Sequence, residues 1–244
     1  ERARASMPGG NTRATVHYDP YPVFMNRGDG CRLTDVDGGV RLDFNNNYTT
    51  LLLGHNPPAV AEAVRAQLEN GTAAGAPMEV EEALASRLCA RFSTVDKVRF
   101  CSTGTEANMN CIRAARAFTG KSKVGKFLGH FHGSSEHMEV SIFPAVEEMG
   151  DPSRPKSVPS SPGIPEGVVR DVVTLPFNDP GGVEEIVRAH RDEMAAVIVE
   201  PIAGGGAIEP RDGFHRDLRR ICTENDVLLI FDEVMMSRLA HGGA

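Results

Sequence analysis

Four stretches of this 244-residue sequence carry residue types that chemistry uses, and each stands at the end of an expected strand. Asp232 follows VLLIF at 227–231. A short unbroken apolar run reads as a strand buried on both faces of a parallel sheet. In open α/β sheets, ligands bind outside the carboxyl ends of the strands. A carboxylate there needs a partner, since desolvating an unpaired charge is costly. A protonated ring nitrogen of a cofactor would serve, as would Mg²⁺ or the start of a following helix. Ser102-Thr103-Gly104-Thr105 lies between a short strand expected at 98–101 and a helical pattern at 106–118. Hydroxyls and free amides at a helix N-terminus form an anion site that suits a phosphate. The same residues are also ordinary N-caps. The spacing is neither GxGxxG nor GxxxxGK[ST], so a phosphate here would belong to something other than NAD or ATP.

The third stretch is Gly129-His130-Phe131-His132-Gly133, after a strand expected at 124–128. Its glycines permit close approach of the backbone, and Phe131 offers a face to an aromatic ring. The histidines resemble a metal pair but lack a clustered third ligand, which favours buried structural roles. The fourth is Glu200-Pro201 leading into Ala203-Gly204-Gly205-Gly206 after AAVIV at 195–199. It is a glycine-rich strand exit, or simply a turn.

These stretches need a scaffold, and the rest of the chain supplies one. Residues 23–44 alternate in short strands broken by Asp29-Gly30 and Asp37-Gly38-Gly39, which predicts a small antiparallel meander. Helical patterns follow at 59–69 and 79–92. From residue 98 onward strands alternate with helices, with further helices at 183–190 and 214–223. A doubly wound parallel sheet is the economical reading. Residues 143–176, rich in Pro, Ser and Gly, read as a long excursion with little regular structure, functional or oligomer-contacting. The expected domains are 1–55, an N-terminal segment with the meander, and 56–244, a partial large domain. Both ends read as cut.

Composition narrows the class. A net charge of −7 with no basic run argues against nucleic acid. Five dispersed cysteines without CxxC spacing give neither a disulfide framework nor a zinc site, and point to a reducing, cytoplasmic compartment. No stretch is long and apolar enough to span a bilayer.

Taken in order, MPGGNTR, RGDGCRLTDVDG, LLLGHNPPAV, CSTGTEAN, GHFHG, VIVEPIAG and IFDEVMMSRLA resemble a class III aminotransferase. This is a fold type I enzyme of pyridoxal 5′-phosphate. The nearest branch holds glutamate-1-semialdehyde 2,1-aminomutase and the β-amino-acid aminotransferases. The resemblance implies an α/β fold, the large domain of a fold type I transferase with its sheet incomplete. Thr103, Gly104 and Thr105 would hold the cofactor phosphate. Phe131, more often Tyr in the family, would stack on the pyridine ring, and Val234 would pack on its other face. Asp232 would pair with the pyridinium nitrogen, and Arg13 would bind the substrate carboxylate. The Schiff-base lysine of the family lies beyond Ala244. Lys97, Lys121, Lys123, Lys126 and Lys156 match none of its catalytic lysines, and no lysine follows Lys156. These residues alone are therefore expected not to turn over. Family members are homodimers, which makes 51–56 and 143–176 candidate contacts. Transfer of an amino group between a β- or α-amino acid and a keto acid is the expected activity, β-amino acids being favoured. An intramolecular amino shift and a non-catalytic paralogue are the alternatives.

Overall fold

Asp-Gly turns and two-residue alternation build the first sheet, as the sequence predicts. In the computed structural model, which describes residues 1–243, β1 (Met25–Asp29), β2 (Arg32–Asp35) and β3 (Val40–Leu42) form an antiparallel meander in the order β1-β2-β3. Gly30 and Gly38 take left-handed φ of 52° and 87° at its two turns, where a side chain would be strained. The chain divides into two units, Glu1–Glu79 and Val80–Ala244. In the first, Pro22 is the only apolar side chain among the described residues that is buried. Local hydrogen bonds hold it instead. Asp35 accepts from the amides of Asp37 and Gly39, at 3.1 and 2.7 Å, and from Arg41 at 2.7 Å. Helix α1 (Pro58–Glu69) starts on a proline at its first position, where the missing N–H has no partner to lose.

The second unit begins with α2 (Glu79–Arg91) and α3 (Gly104–Thr119). The sheet then uses β4 (Lys123–Phe127), β5 (Val172–Leu175), β6 (Met194–Val199) and β7 (Leu228–Phe231), in the order β5-β4-β6-β7. All three pairings are parallel. Helices α4 (Glu166–Asp171), α5 (Pro180–His190) and α6 (Phe214–Glu224) complete the crossovers. Val197 and Val199 of β6 pack with Val183, Leu218 and Ile221 of α5 and α6. Ala196 and Ile198 pack on the other face with Ala115 and Ile112 of α3. The sheet is therefore covered on both sides, and β6 is buried at every residue.

Three sequence expectations change. Residues 98–101 form no strand, because no neighbouring chain among the described residues offers them a ladder. The 143–176 excursion is more regular than its composition implies. It holds a small hairpin at Gly150–Asp151 and Arg154–Pro155, helix α4 and the strand β5. Val172–Leu175 (VVTL) is a short, mostly apolar stretch masked by the Pro- and Ser-rich sequence around it. Finally, β7 is only half-buried, with Phe231 38% exposed, since among the described strands it pairs with β6 alone.

Candidate functional site

Helix α3 places the phosphate turn. Thr103 is its N-cap and accepts from the Glu106 amide at 3.1 Å, while Glu106 reaches back to the Ser102 amide at 2.9 Å. That reciprocal pair fixes the turn and leaves the amides of Gly104 and Thr105 outside the helical ladder. Sixteen residues of helix stand behind them, so the positive end of the dipole faces whatever binds. Thr105 Oγ1 accepts from the Ser134 amide at 3.1 Å, which joins this turn to the loop after β4. The join is close. A Cβ at Gly133, whose φ is +91°, would come within 2.7 Å of Thr105 Cα. A Cβ at Gly104 would meet Val234 Cγ2 at 3.1 Å.

One helical turn further, Asn108 is buried and donates to Asp232 Oδ2 at 2.8 Å and to the His132 carbonyl at 3.0 Å. His132 Nδ1 lies 2.9 Å from the same Oδ2. Asp232 Oδ1 accepts from the Val234 amide at 3.1 Å and keeps a further lone pair. Burial would raise this carboxyl. The His132 and Asn108 hydrogen bonds and the Val234 amide outweigh it and hold Asp232 below the usual carboxylate range. With Asp232 ionised, the proton of His132 belongs on Nδ1. Burial pushes both imidazoles down, His130 to about 3, so both rings stay neutral at neutral pH. His130 Nδ1 accepts from the Glu200 amide at 3.0 Å, which puts its proton on Nε2.

The turn at 103–105, the loop at 129–133 and the strand exit at 232–234 thus meet at one place. Phe131 is 42% exposed there, so its ring is open to a ligand. Arg13 belongs to the first unit, where its guanidinium donates to Asn47 Oδ1 at 3.1 Å and lies over the Tyr48 ring. Sequence reasoning missed Asn108 and the use of Lys126, and read Glu200 only as part of a glycine-rich strand exit. Asn108 had a usable signal, standing three and four residues after Thr105 and Gly104, hence on the same helix face. Among the described residues, no group of three or more His, Cys, Asp or Glu is placed to hold a metal ion.

The family model for class-III aminotransferases matches residues 14–239. The chain belongs to the class-III aminotransferase family. It is 41% identical to the glutamate-1-semialdehyde 2,1-aminomutase of Methanocaldococcus jannaschii, over the whole of this chain and 56% of that protein. Among solved structures it is similar to an omega-transaminase from Sphaerobacter thermophilus, with 44% identity and a TM-score of 0.95. That match covers 99% of this chain and 55% of the other. A transaminase with pyridoxal phosphate (PLP) bound is 41% identical with a TM-score of 0.91, over all of this chain and 56% of its own length. The chain therefore spans little more than half the length of the relatives it matches. As a class-III aminotransferase it has the fold type I architecture, and its cluster suits the family's cofactor. The charged buried carboxylate has a spare lone pair, and a glycine-lined helix start offers free amides. An exposed phenyl ring lies on the loop between them.

Proposed function

We propose that the gene product containing this chain is a PLP-dependent aminotransferase. It moves an amino group between an amino acid, a β-amino acid in preference, and a keto acid. One observation carries the reading. A buried carboxylate held ionised by Asn108 and His132 sits beside a capped helix start suited to a phosphate.

When bound, PLP supplies a carbonyl carbon that takes up the amino group and a charged ring that draws electron density from the amino-bearing carbon. The residues here do the rest of the holding. Thr103, Gly104 and Thr105 bind the phosphate through hydroxyls, free amides and the helix dipole. Asp232 keeps the proton on the ring nitrogen, because an anion in a buried place favours the charged partner. His132 Nδ1–H and the Asn108 amide fix Oδ2, so Oδ1 would be the oxygen left to receive a ring N–H. Phe131 would cover one face of the ring and exclude water, and Val234 would pack on the other. A phenyl in place of the family's usual phenol keeps the stacking area but offers no hydrogen bond. Arg13 binds the substrate carboxylate, for which its planar fork is suited.

No lysine follows Lys156 in these 244 residues, so they hold the cofactor but do not by themselves supply the amine that carries the proton shift. Residues 1–55 and 56–244 are read as the N-terminal segment and part of the cofactor domain. A cytoplasmic homodimer fits the reading. No helix among the described residues is long and apolar enough to cross a membrane.

The 41% identity to an aminomutase favours a second reading, an intramolecular amino shift at the same site. Feeding the gene product an amino acid with and without a keto acid separates the two. Turnover that requires the acceptor supports transfer, and turnover of a single amino-aldehyde supports the shift. Absence of any PLP-dependent visible absorbance would end both.

A further inference from the structure

The peptide unit joining His130 to Phe131 is gripped at both ends by buried side chains of opposite charge. Lys126 Nζ donates to the His130 carbonyl at 2.8 Å, and to the Val140 carbonyl at 2.8 Å. The Phe131 amide donates to Glu200 Oε2 at 3.0 Å. Lys126 is wholly buried and Glu200 almost so. Glu200 is anchored in turn. Its Oε1 accepts from the Gly204 amide at 3.3 Å, and its own amide donates to His130 Nδ1.

A cation on the carbonyl and an anion on the N–H of one peptide both align with its dipole, so each hydrogen bond strengthens the other. Rotation of that peptide plane changes φ of Phe131 and swings its ring. Neutral groups could tie a loop down at less cost, since burying two charges is expensive unless each is compensated. Here they are compensated through the peptide that carries the aromatic plate.

We propose that Lys126 and Glu200 are positioning residues that lock the His130–Phe131 peptide and so aim the Phe131 ring at the cofactor. The proposal rests on the aminotransferase reading for the last step only. Burial lowers Lys126 to about 7 and raises Glu200 to about 7, the charge of each partner opposing the shift of the other. Removing either side chain therefore takes away the charge that opposes the other's shift, and leaves a buried ionisable group without its counterpart.

The test compares the gene product with Lys126→Met, Glu200→Gln and the double variant. In the cofactor-free proteins, the Phe131 amide should exchange with solvent about tenfold or more faster in either single variant. The double variant should be less impaired than the two single effects combined predict, because neither buried charge is then left alone. In the cofactor-loaded proteins, the Kd for PLP should rise about tenfold. The circular dichroism of the bound cofactor should change, while KM for the amino donor stays near its original value. Unchanged protection of the Phe131 amide in Glu200→Gln, the milder variant should Lys126→Met not fold, would overturn the clamp. Strictly additive effects in the double variant would also overturn it. If the unmodified gene product takes up no PLP, the functional reading fails while the exchange arm still decides the clamp.

Discussion

Two buried aspartates, Asp35 in the meander and Asp232 at the exit of β7, show how alike a turn and a binding site look one residue at a time. Both are under 9% exposed, and both are held below the usual carboxylate range. Their partners differ. Everything Asp35 accepts comes from residues 37, 39 and 41, and both its oxygens are used within its own hairpin. The side chains bonded to Asp232 come from positions 108 and 132, separated from it by 124 and 100 residues. Each carboxylate accepts three hydrogen bonds and keeps one lone pair, so the count does not separate them. A carboxylate bonded wholly by its neighbours in sequence is turn chemistry. One fixed by distant elements, at a strand exit beside a capped helix start, is placed for a ligand.

The sharpest way to break that contrast is Asp232→Asn. It preserves shape and loses the charge that keeps a ring nitrogen protonated. Turnover of the gene product should fall about a thousandfold, the scale on which a preorganised electrostatic partner acts, with little change in folding. Retained turnover would place Asp232 beside Asp35 as a structural residue. Arg13→Lys asks whether the first unit contributes to chemistry at all. Because an ammonium cannot reproduce the bidentate fork, KM for the carboxylate substrate should rise about tenfold with kcat nearly unchanged. An unchanged KM would confine function to the second unit.

Acid titration probes the second unit's long-range wiring. Folded His130 stays neutral down to about 3, whereas the unfolded ring takes a proton below its ordinary value of about 6.5. The unfolded state therefore binds more protons in that window, and this histidine's contribution to stability is lost as pH falls. Urea unfolding should show wild type losing about 1.4 kcal/mol per pH unit relative to His130→Asn between those limits. Parallel curves would show that His130 is not held neutral. Glu200, raised from 4.5 to about 7, acts in the opposite sense, since its folded form binds the extra proton there and loses stability as pH rises. The difference between the two proteins is thus the quantity to measure. The smallest effect is expected from Asp35→Ala. It should lower Tm by a few degrees and speed proteolysis between residues 25 and 42, because only local amides and one arginine lose their acceptor. A change in the cofactor spectrum on that substitution would blur the distinction.

Legibility followed the range of the interactions. The meander, α1, α2 and α3 were readable because turns, caps and periodicity are local. The elements misread were those whose state depends on a neighbour. Residues 98–101 have strand composition but no partner to pair with, and Val172–Leu175 becomes a strand only beside β4. The site divides the same way. Thr103 to Thr105, Phe131 and Asp232 stand out because each follows a stretch that reads as a strand. Lys126 had been set aside as matching no catalytic lysine, since nothing in KVGKF says that its ammonium ends on the His130 carbonyl.

Sequence alone determined the family, the parallel strands bearing chemistry at their exits, and which side chains stand at those exits, all of which depend on residue type and short spacing. The tertiary structure decided which carboxylate is held within its own hairpin and which by distant elements. It also decided the tautomers of two histidines and the pairing of a buried lysine and glutamate across one peptide. These are matters of contact between residues up to 124 positions apart, where desolvation makes each partner's identity decisive.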